Sequence, residues 1–79
     1  MNLDNKKISM EDLTFYGGMD YVSGKDENNI SEYFLCNNGK PRYVLINDYR
    51  GIGSKSNLYL FKYNEYDNFD KIKQKIIQG

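Results

Sequence analysis

The chain has 79 residues, too few for more than one domain, and we predict a single domain over residues 1–79. Eleven basic and eleven acidic side chains give a net charge of zero. Cys36 is the only cysteine and histidine is absent, so the composition argues against an internal disulfide, a zinc site and histidine-based acid–base catalysis. Residues 1–32 carry three basic and seven acidic side chains, whereas residues 33–79 carry eight basic and four acidic ones. This asymmetry predicts either a dipole that orients a charged partner or two segments that attract each other in the fold.

The first element is expected after a polar start. Residues 1–8 contain no hydrophobic segment of the kind found in signal peptides, and we expect them to be disordered. Ser9 is suited to cap a short helix that Gly17 ends, with acidic residues in its first turn. The alternative is a hairpin across the two glycines, so the sequence leaves residues 9–22 open between a helix and a hairpin. We favour the helix, followed by a strand at residues 19–23 and a polar loop at 24–29.

A central hairpin gives the clearest signal in the sequence. Strands are predicted at residues 32–36 and 41–46, on either side of Asn38 and Gly39. Asn-Gly is the pair that a type I′ turn favours, because both of its central residues need positive φ. The turn predicts two cross-strand pairs, Phe34 with Tyr43 and Tyr33 with Val44. Since both faces would carry large apolar groups, the sequence leaves open which face a helix covers.

Residues 47–56 are predicted to form a loop rich in glycine and positive charge. Gly51 and Gly53 do not have the spacing of a phosphate-binding P-loop or of a dinucleotide-binding loop, and a strand follows where a helix would be needed. We therefore predict a connection between strands, in which Arg50 and Lys55 are placed to contact an anionic surface.

A third strand and a helix complete the predicted elements. Residues 57–63 alternate leucines with aromatic residues, which predicts a strand. Residues 66–78 carry one apolar stripe at helical spacing, which predicts a helix capped by Asn64. The predicted class is α+β: a small antiparallel sheet of three or four strands with the C-terminal helix packed on one face and a short N-terminal helix. No apolar run approaches the roughly 20 residues that a membrane helix needs, and the lone cysteine suits a reducing compartment, so we predict a cytoplasmic protein.

The missing histidine argues against an enzyme, and we predict no catalytic residues, metal ligands or cofactor. One alternative is a nucleic-acid-binding accessory protein that uses a sheet face bearing tyrosine, arginine and lysine. The order of elements resembles double-stranded-RNA-binding domains in topology only. The start of the last helix, where that family carries a lysine-rich motif, reads Tyr-Asp-Asn-Phe-Asp at residues 66–70.

We predict instead a small protein-binding module. Its size and its abundance of Asn, Lys, Ile and Tyr, whose codons are AT-rich, suit phages and mobile elements of low-GC bacteria. By analogy with other short proteins of that origin, we expect an inhibitor that masks a host protein, of the anti-restriction or anti-CRISPR type. A homodimer is a further possibility. Tyrosine and arginine are enriched at protein interfaces, and the predicted contact residues are Arg42, Tyr43, Arg50, Lys55, Tyr59 and Phe61.

Overall fold

The fold is a five-stranded antiparallel sheet with a helix against each of its faces. The computed structural model describes residues 3–51 and 56–78. Its strands and helices are β1 (Lys7–Ile8), α1 (Met10–Leu13), β2 (Asp20–Glu27), β3 (Ile30–Asn37), β4 (Lys40–Asp48), β5 (Asn57–Lys62) and α2 (Phe69–Gln78). The strand order is β1-β5-β4-β3-β2. The predicted α+β class is confirmed, but the sheet has five strands where three or four were predicted.

The additional strand lies near the N-terminus. Residues 3–8, for which the sequence predicted disorder, form a 3-10 helix, Leu3–Lys6, followed by β1. The strand is only two residues long and pairs with β5, where Ile8 lies opposite Leu58. Leu3 packs against the core on one face of the sheet and Ile8 against the core on the other. These apolar contacts explain why a polar-looking start joins the sheet.

A second hairpin occupies the segment that was predicted as a loop. Strand β2 continues through Glu27, and Asn28 and Asn29 form the turn into β3 with φ values of 57° and 60°. The predicted turn at Asn38 and Gly39 is confirmed and uses the same left-handed region, with φ values of 55° and 76°. Every residue of β2 is exposed, because β2 is an edge strand. Exposed edge strands tolerate charge, which is why this segment has the composition of a loop.

The predicted pairing of the central hairpin is wrong by one residue. The register begins as expected, with Cys36 opposite Pro41, but it then shifts so that Leu35 lies opposite Tyr43. Arg42 is the extra residue of this β-bulge. The observed pairs are therefore Phe34 with Val44 and Tyr33 with Leu45. The bulge separates the apolar side chains of the hairpin into two sets, one for each face.

Two hydrophobic clusters result, one on each face of the sheet. Helix α2 covers the larger cluster, in which its residues Phe69, Ile72 and Ile76 are buried. The smaller cluster is centred on Leu35, Leu45 and Leu58, and Leu13, Tyr16 and Met19 of the N-terminal segment pack over it. We call these the α2 face and the α1 face. Both faces are therefore covered, one by α2 and the other by the N-terminal segment.

The short N-terminal helix is confirmed and the hairpin alternative is wrong. The Ser9 hydroxyl accepts from the Asp12 backbone N–H at 3.2 Å, and the Asp12 carboxylate accepts from the Ser9 backbone N–H at 3.0 Å, which is a capping box. A 3-10 turn, Thr14–Tyr16, extends the helix to Gly17.

The C-terminal helix begins three residues later than predicted. Residues Tyr63–Glu65 form a 3-10 turn, and α2 starts at Phe69. The cap is Asn68 and not Asn64, because the Asn68 side-chain oxygen accepts from the Lys71 backbone N–H at 2.9 Å. Within the described ranges, no helix has the length and apolar character that crossing a bilayer would require.

Candidate functional site

The predicted contact residues do not share one surface. Tyr43 lies on the α1 face, directly opposite Lys62, whereas Phe61 lies opposite Val44 on the α2 face and Tyr59 packs against the same cluster. Phe61 is only 1% exposed. A buried ring of this kind fills the core and offers no surface to a partner. The expectation of one tyrosine-bearing sheet face is therefore wrong, since strand alternation divides these aromatic residues between two covered faces.

Arg50 is engaged within the fold. Its Nε and Nη2 donate to the two carboxylate oxygens of Asp48 at 2.8 and 3.0 Å, and Nη2 also donates to the Ile76 backbone carbonyl at 3.3 Å. The hydrogen bond from Arg50 holds the pKa of the buried Asp48 carboxyl below its ordinary value, although burial opposes this shift. Arg50 thus joins the end of β4 to the end of α2. Lys55 lies outside the described residues.

Arg42 and Tyr43 lie together in an open groove of about 510 Å³. We call it the Arg42 groove. It lies where the central hairpin, the end of β5 and the following 3-10 turn meet. Its lining comprises Met19, Asn37, Pro41, Arg42, Tyr43, Lys62, Tyr63 and Asn64.

The bulge determines how Arg42 is presented. Cys36 and Leu35 pair with Pro41 and Tyr43, so Arg42 has no partner residue across the hairpin. A bulge redirects the side chain of its extra residue and bends the strand locally. The guanidinium makes no ion pair or hydrogen bond with any residue of 3–51 or 56–78. Its donors are consequently available to a ligand.

The charge of the Arg42 groove is positive. Arg42 and Lys62 are its only charged lining residues among those described. Lys62 Nζ lies 4.0 Å from Glu65 Oε2, and both side chains are more than half exposed, so solvent screens this pair strongly. An anionic group entering the groove would meet a free guanidinium and a loosely paired ammonium.

Tyr43 forms a rigid wall of the Arg42 groove. Its ring packs edge-on against the Tyr16 ring, with centroids 4.9 Å apart, and it belongs to the half-buried border of the α1-face cluster. A side chain already held by packing loses little rotamer freedom when a ligand binds. Tyr63 also lines the groove and is 43% exposed.

A second polar site lies on the α2 face, around a buried carboxylate that the sequence did not indicate. Glu32 is 6% exposed. Its Oε1 accepts from the Lys25 backbone N–H at 3.2 Å, and its Oε2 accepts from the Tyr66 hydroxyl at 2.6 Å. Burial raises the pKa of Tyr66 well above its ordinary value, and the hydrogen bond to Glu32 acts in the same direction. The Tyr66 hydroxyl therefore remains a donor throughout the neutral range.

Gly24 makes room for this carboxylate. A Cβ atom at position 24 would overlap Glu32 Oε1 and would stand 2.9 Å from Phe34 Cε2. Strand β2 also changes register here, between Ser23 and Asp26. Only a residue without a side chain lets the edge strand approach Glu32 so closely.

The described residues contain no group of three or more histidine, cysteine or acidic side chains placed to hold a metal ion. Cys36 is 9% exposed, and its thiol points to the Phe34 carbonyl at a distance of 4.0 Å. It is thus a small buried apolar residue of the sheet.

We compared the chain with models of protein families, with curated proteins and with solved structures, and none of the three comparisons found a match.

Proposed function

We propose that this protein is a non-enzymatic binding module that masks another protein by gripping an acidic segment of it in the Arg42 groove. The observation that carries this proposal is the Arg42 guanidinium, which has no partner within the described chain and stands beside a rigid tyrosine in an open groove. Arginine and tyrosine supply a large share of the binding energy at protein interfaces.

The ligand is inferred from charge complementarity. Among the described residues, the lining of the groove contains two cationic side chains and no anionic one. A guanidinium binds a carboxylate through two parallel hydrogen bonds, a geometry that also fixes the direction of approach. An aspartate or glutamate of the partner would occupy this position, while the rings of Tyr43 and Tyr63 would pack against the neighbouring apolar part of its chain.

The positions of the aromatic residues favour a protein ligand over nucleic acid. Successive bases stack on aromatic rings that are open on one surface. Here Phe61 is buried, and Tyr59 packs half-buried against the α2-face cluster, on the face opposite Tyr43. The chain also has no net charge, whereas dedicated nucleic-acid binders are generally basic.

The cellular role that we propose follows from composition and size. The abundance of Asn, Lys, Ile and Tyr, whose codons are AT-rich, and a chain of 79 residues suit a phage or mobile element of a low-GC bacterium. The protein would act in the cytoplasm of the host, as an inhibitor of the anti-restriction or anti-CRISPR type. This assignment rests on analogy with other small proteins of such elements.

The test is a capture experiment on nuclease-treated lysate of the source cell, followed by mass spectrometry. Three baits are compared: the wild-type chain, Arg42→Glu and Lys7→Glu. Lys7→Glu is the control, because it makes the same charge change at an exposed residue outside the groove. We expect a host protein that wild type and Lys7→Glu retain and Arg42→Glu loses. Equal retention by all three baits would refute the groove as the contact. Binding only of nucleic acid in untreated lysate, or only of a second copy of the chain, would refute the masking of a host protein.

A further inference from the structure

A second cavity, of about 310 Å³, opens around Glu32 on the α2 face. We call it the Glu32 cavity. Strands β2 and β3 form one side of it, and the segment leading into α2 forms the other. Its lining comprises Lys25, Glu32, Phe34, Tyr63, Tyr66, Asp67, Asn68 and Phe69. It shares only Tyr63 with the described lining of the Arg42 groove, so that this ring separates the two sites.

Among the residues that the structure describes, no basic side chain pairs with Glu32. Both donors to its carboxylate are neutral, namely the Lys25 backbone N–H and the Tyr66 hydroxyl. No lysine or arginine of residues 3–51 and 56–78 forms an ion pair with it. Buried charges in proteins are usually paired, because desolvation is costly. A carboxylate accepts about four hydrogen bonds, and only two are made here, so acceptor capacity remains.

Two other residues with charged side chains, Asp67 and Lys25, line the cavity. Asp67 is acidic and is paired with Lys71, whose Nζ lies 3.1 Å from its carboxylate. Lys25 presents its backbone N–H to Glu32, and no ion pair joins its ammonium group to the carboxylate within the described chain. The cavity thus leads to a buried carboxylate with which no basic side chain of the described residues forms an ion pair.

The walls of the cavity are aromatic. The rings of Phe34 and Tyr63 meet edge to face, with centroids 6.2 Å apart, and Tyr66 and Phe69 add two more rings. The faces of aromatic rings attract cations, and the attraction grows when water is excluded. Four rings around a buried carboxylate are the groups that would suit an organic cation of modest size.

We propose that the Glu32 cavity binds the primary ammonium group at the end of an alkyl chain, as in a lysine side chain or a free alkylamine. The ammonium group would donate to the Glu32 carboxylate, and its methylene groups would pack against the Phe34 and Tyr63 rings. This site is distinct from the Arg42 groove, and the proposal stands if that groove binds nothing.

The Lys25 backbone amide is a built-in reporter of the cavity, because it donates to Glu32. The experiment follows its signal in proton–nitrogen correlation spectra of the full chain during titration with n-butylammonium chloride. We expect a saturable shift that neither n-butanol nor sodium chloride produces. Absence of a saturable shift, or an equal shift with n-butanol, would overturn the proposal.

Three variants locate the site. Glu32→Gln keeps the shape and removes the charge, and we expect affinity for n-butylammonium to fall by about tenfold or more. Tyr63→Leu, at a residue 43% exposed, should weaken binding about two- to fivefold and decides the question if Glu32→Gln does not fold. Asp70→Asn removes a nearby charge outside the lining, and binding should stay within about twofold. Unchanged affinity of both Glu32→Gln and Tyr63→Leu for n-butylammonium would refute the site. If Glu32→Gln does not fold, unchanged affinity of Tyr63→Leu alone would refute it.

The source of the ammonium group is tested with a second probe. Nα-acetyl-lysine-N-methylamide presents the same group on a peptide-like unit. Tighter binding of this probe than of n-butylammonium identifies a lysine side chain of a protein as the ligand, and the reverse order identifies a free amine. Both orders support the ammonium site, whereas failure of both probes contradicts it.

Discussion

Replacing Gly24 with alanine tests the packing around Glu32 most sharply. The added Cβ would overlap Glu32 Oε1, so either the edge strand or the carboxylate must move. The carboxylate is held from two sides, by the Lys25 N–H and by the Tyr66 hydroxyl. The least disruptive response is rotation of the Glu32 side chain away from β2, which breaks at least one of these hydrogen bonds.

The magnitude follows from the bonds at risk. A hydrogen bond to a charged group contributes about 1.5–3 kcal/mol to the free energy of unfolding. Against this loss, alanine restricts the unfolded chain more than glycine does, which favours folding by about 0.4–1 kcal/mol. We therefore expect Gly24→Ala to lower the free energy of unfolding by about 1–2 kcal/mol. For a chain of this size, with a urea m-value of about 1 kcal/mol/M, the midpoint should fall by about 1–2 M.

The assay is urea unfolding followed by far-ultraviolet circular dichroism, with Gly18→Ala as the matched control. A Cβ at Gly18 meets nothing within 4 Å, and the backbone there lies outside the left-handed region, so the control should be neutral or slightly stabilising. In a Tyr66→Phe background the cost of Gly24→Ala should fall by at least half, because one of the two threatened bonds is already gone. Equal midpoints for the two glycine variants, or no coupling with Tyr66, would refute this reasoning.

Two further predictions concern ionisable groups. Arg50→Ala leaves the buried Asp48 carboxylate without its bidentate partner and should cost about 1–2 kcal/mol near neutral pH, a value reduced for the partial exposure of Arg50. The pKa of Asp48 is lower in the folded protein than in the unfolded chain, where it is about 3.9. The stabilisation by Arg50 is therefore present above the unfolded pKa and is lost as pH falls through the folded pKa. The unfolding midpoints of wild type and Arg50→Ala should converge in acid, and a constant difference between them would contradict the assignment. The folded pKa of Tyr66 is raised, so its contribution is complete below the ordinary value of about 10 and is lost as pH rises beyond it. Tyr66→Phe should therefore be less stable than wild type near neutral pH but lose less stability in alkali, and parallel alkaline losses would contradict this.

Local signals in the sequence predicted the central hairpin and the N-terminal cap. Asn38-Gly39 adopts the positive φ values that its turn type demands, and Ser9 makes the capping box with Asp12. The equivalent turn at Asn28 and Asn29 was missed, because its preceding strand is an exposed edge and shows no apolar alternation. Strand periodicity is visible in a sequence only where one side of the strand is buried.

The division of the sheet faces was beyond the reach of sequence patterns. A one-residue bulge at Arg42 moves Tyr43 to the α1 face, and nothing in the local composition specifies that bulge. Phe61 and Tyr59 were predicted as contact residues because an aromatic strand residue can serve either a core or an interface. Phe61 is buried and Tyr59 packs half-buried against the same cluster, and that cluster forms only when α2 and the distant strands come together.

The Glu32 cavity was missed for a related reason. Glutamate in a strand is ordinarily solvent-exposed. Its burial depends on Tyr66, which is 34 residues away, and on the absence of a side chain at Gly24. In contrast, Arg42 and Tyr43 were predicted as contact residues, and the structure brings them together in one groove.

The most direct test of the central proposal is the affinity of the captured partner for purified variants, measured by isothermal titration calorimetry. Arg42→Glu reverses the charge that would bind the partner's carboxylate, and loss of such a contact costs about 2–5 kcal/mol, which is roughly 30-fold or more in Kd. We predict this loss for Arg42→Glu, with Lys7→Glu remaining within about threefold of wild type. Equal affinities of Arg42→Glu and Lys7→Glu, with both variants folded, would contradict the account.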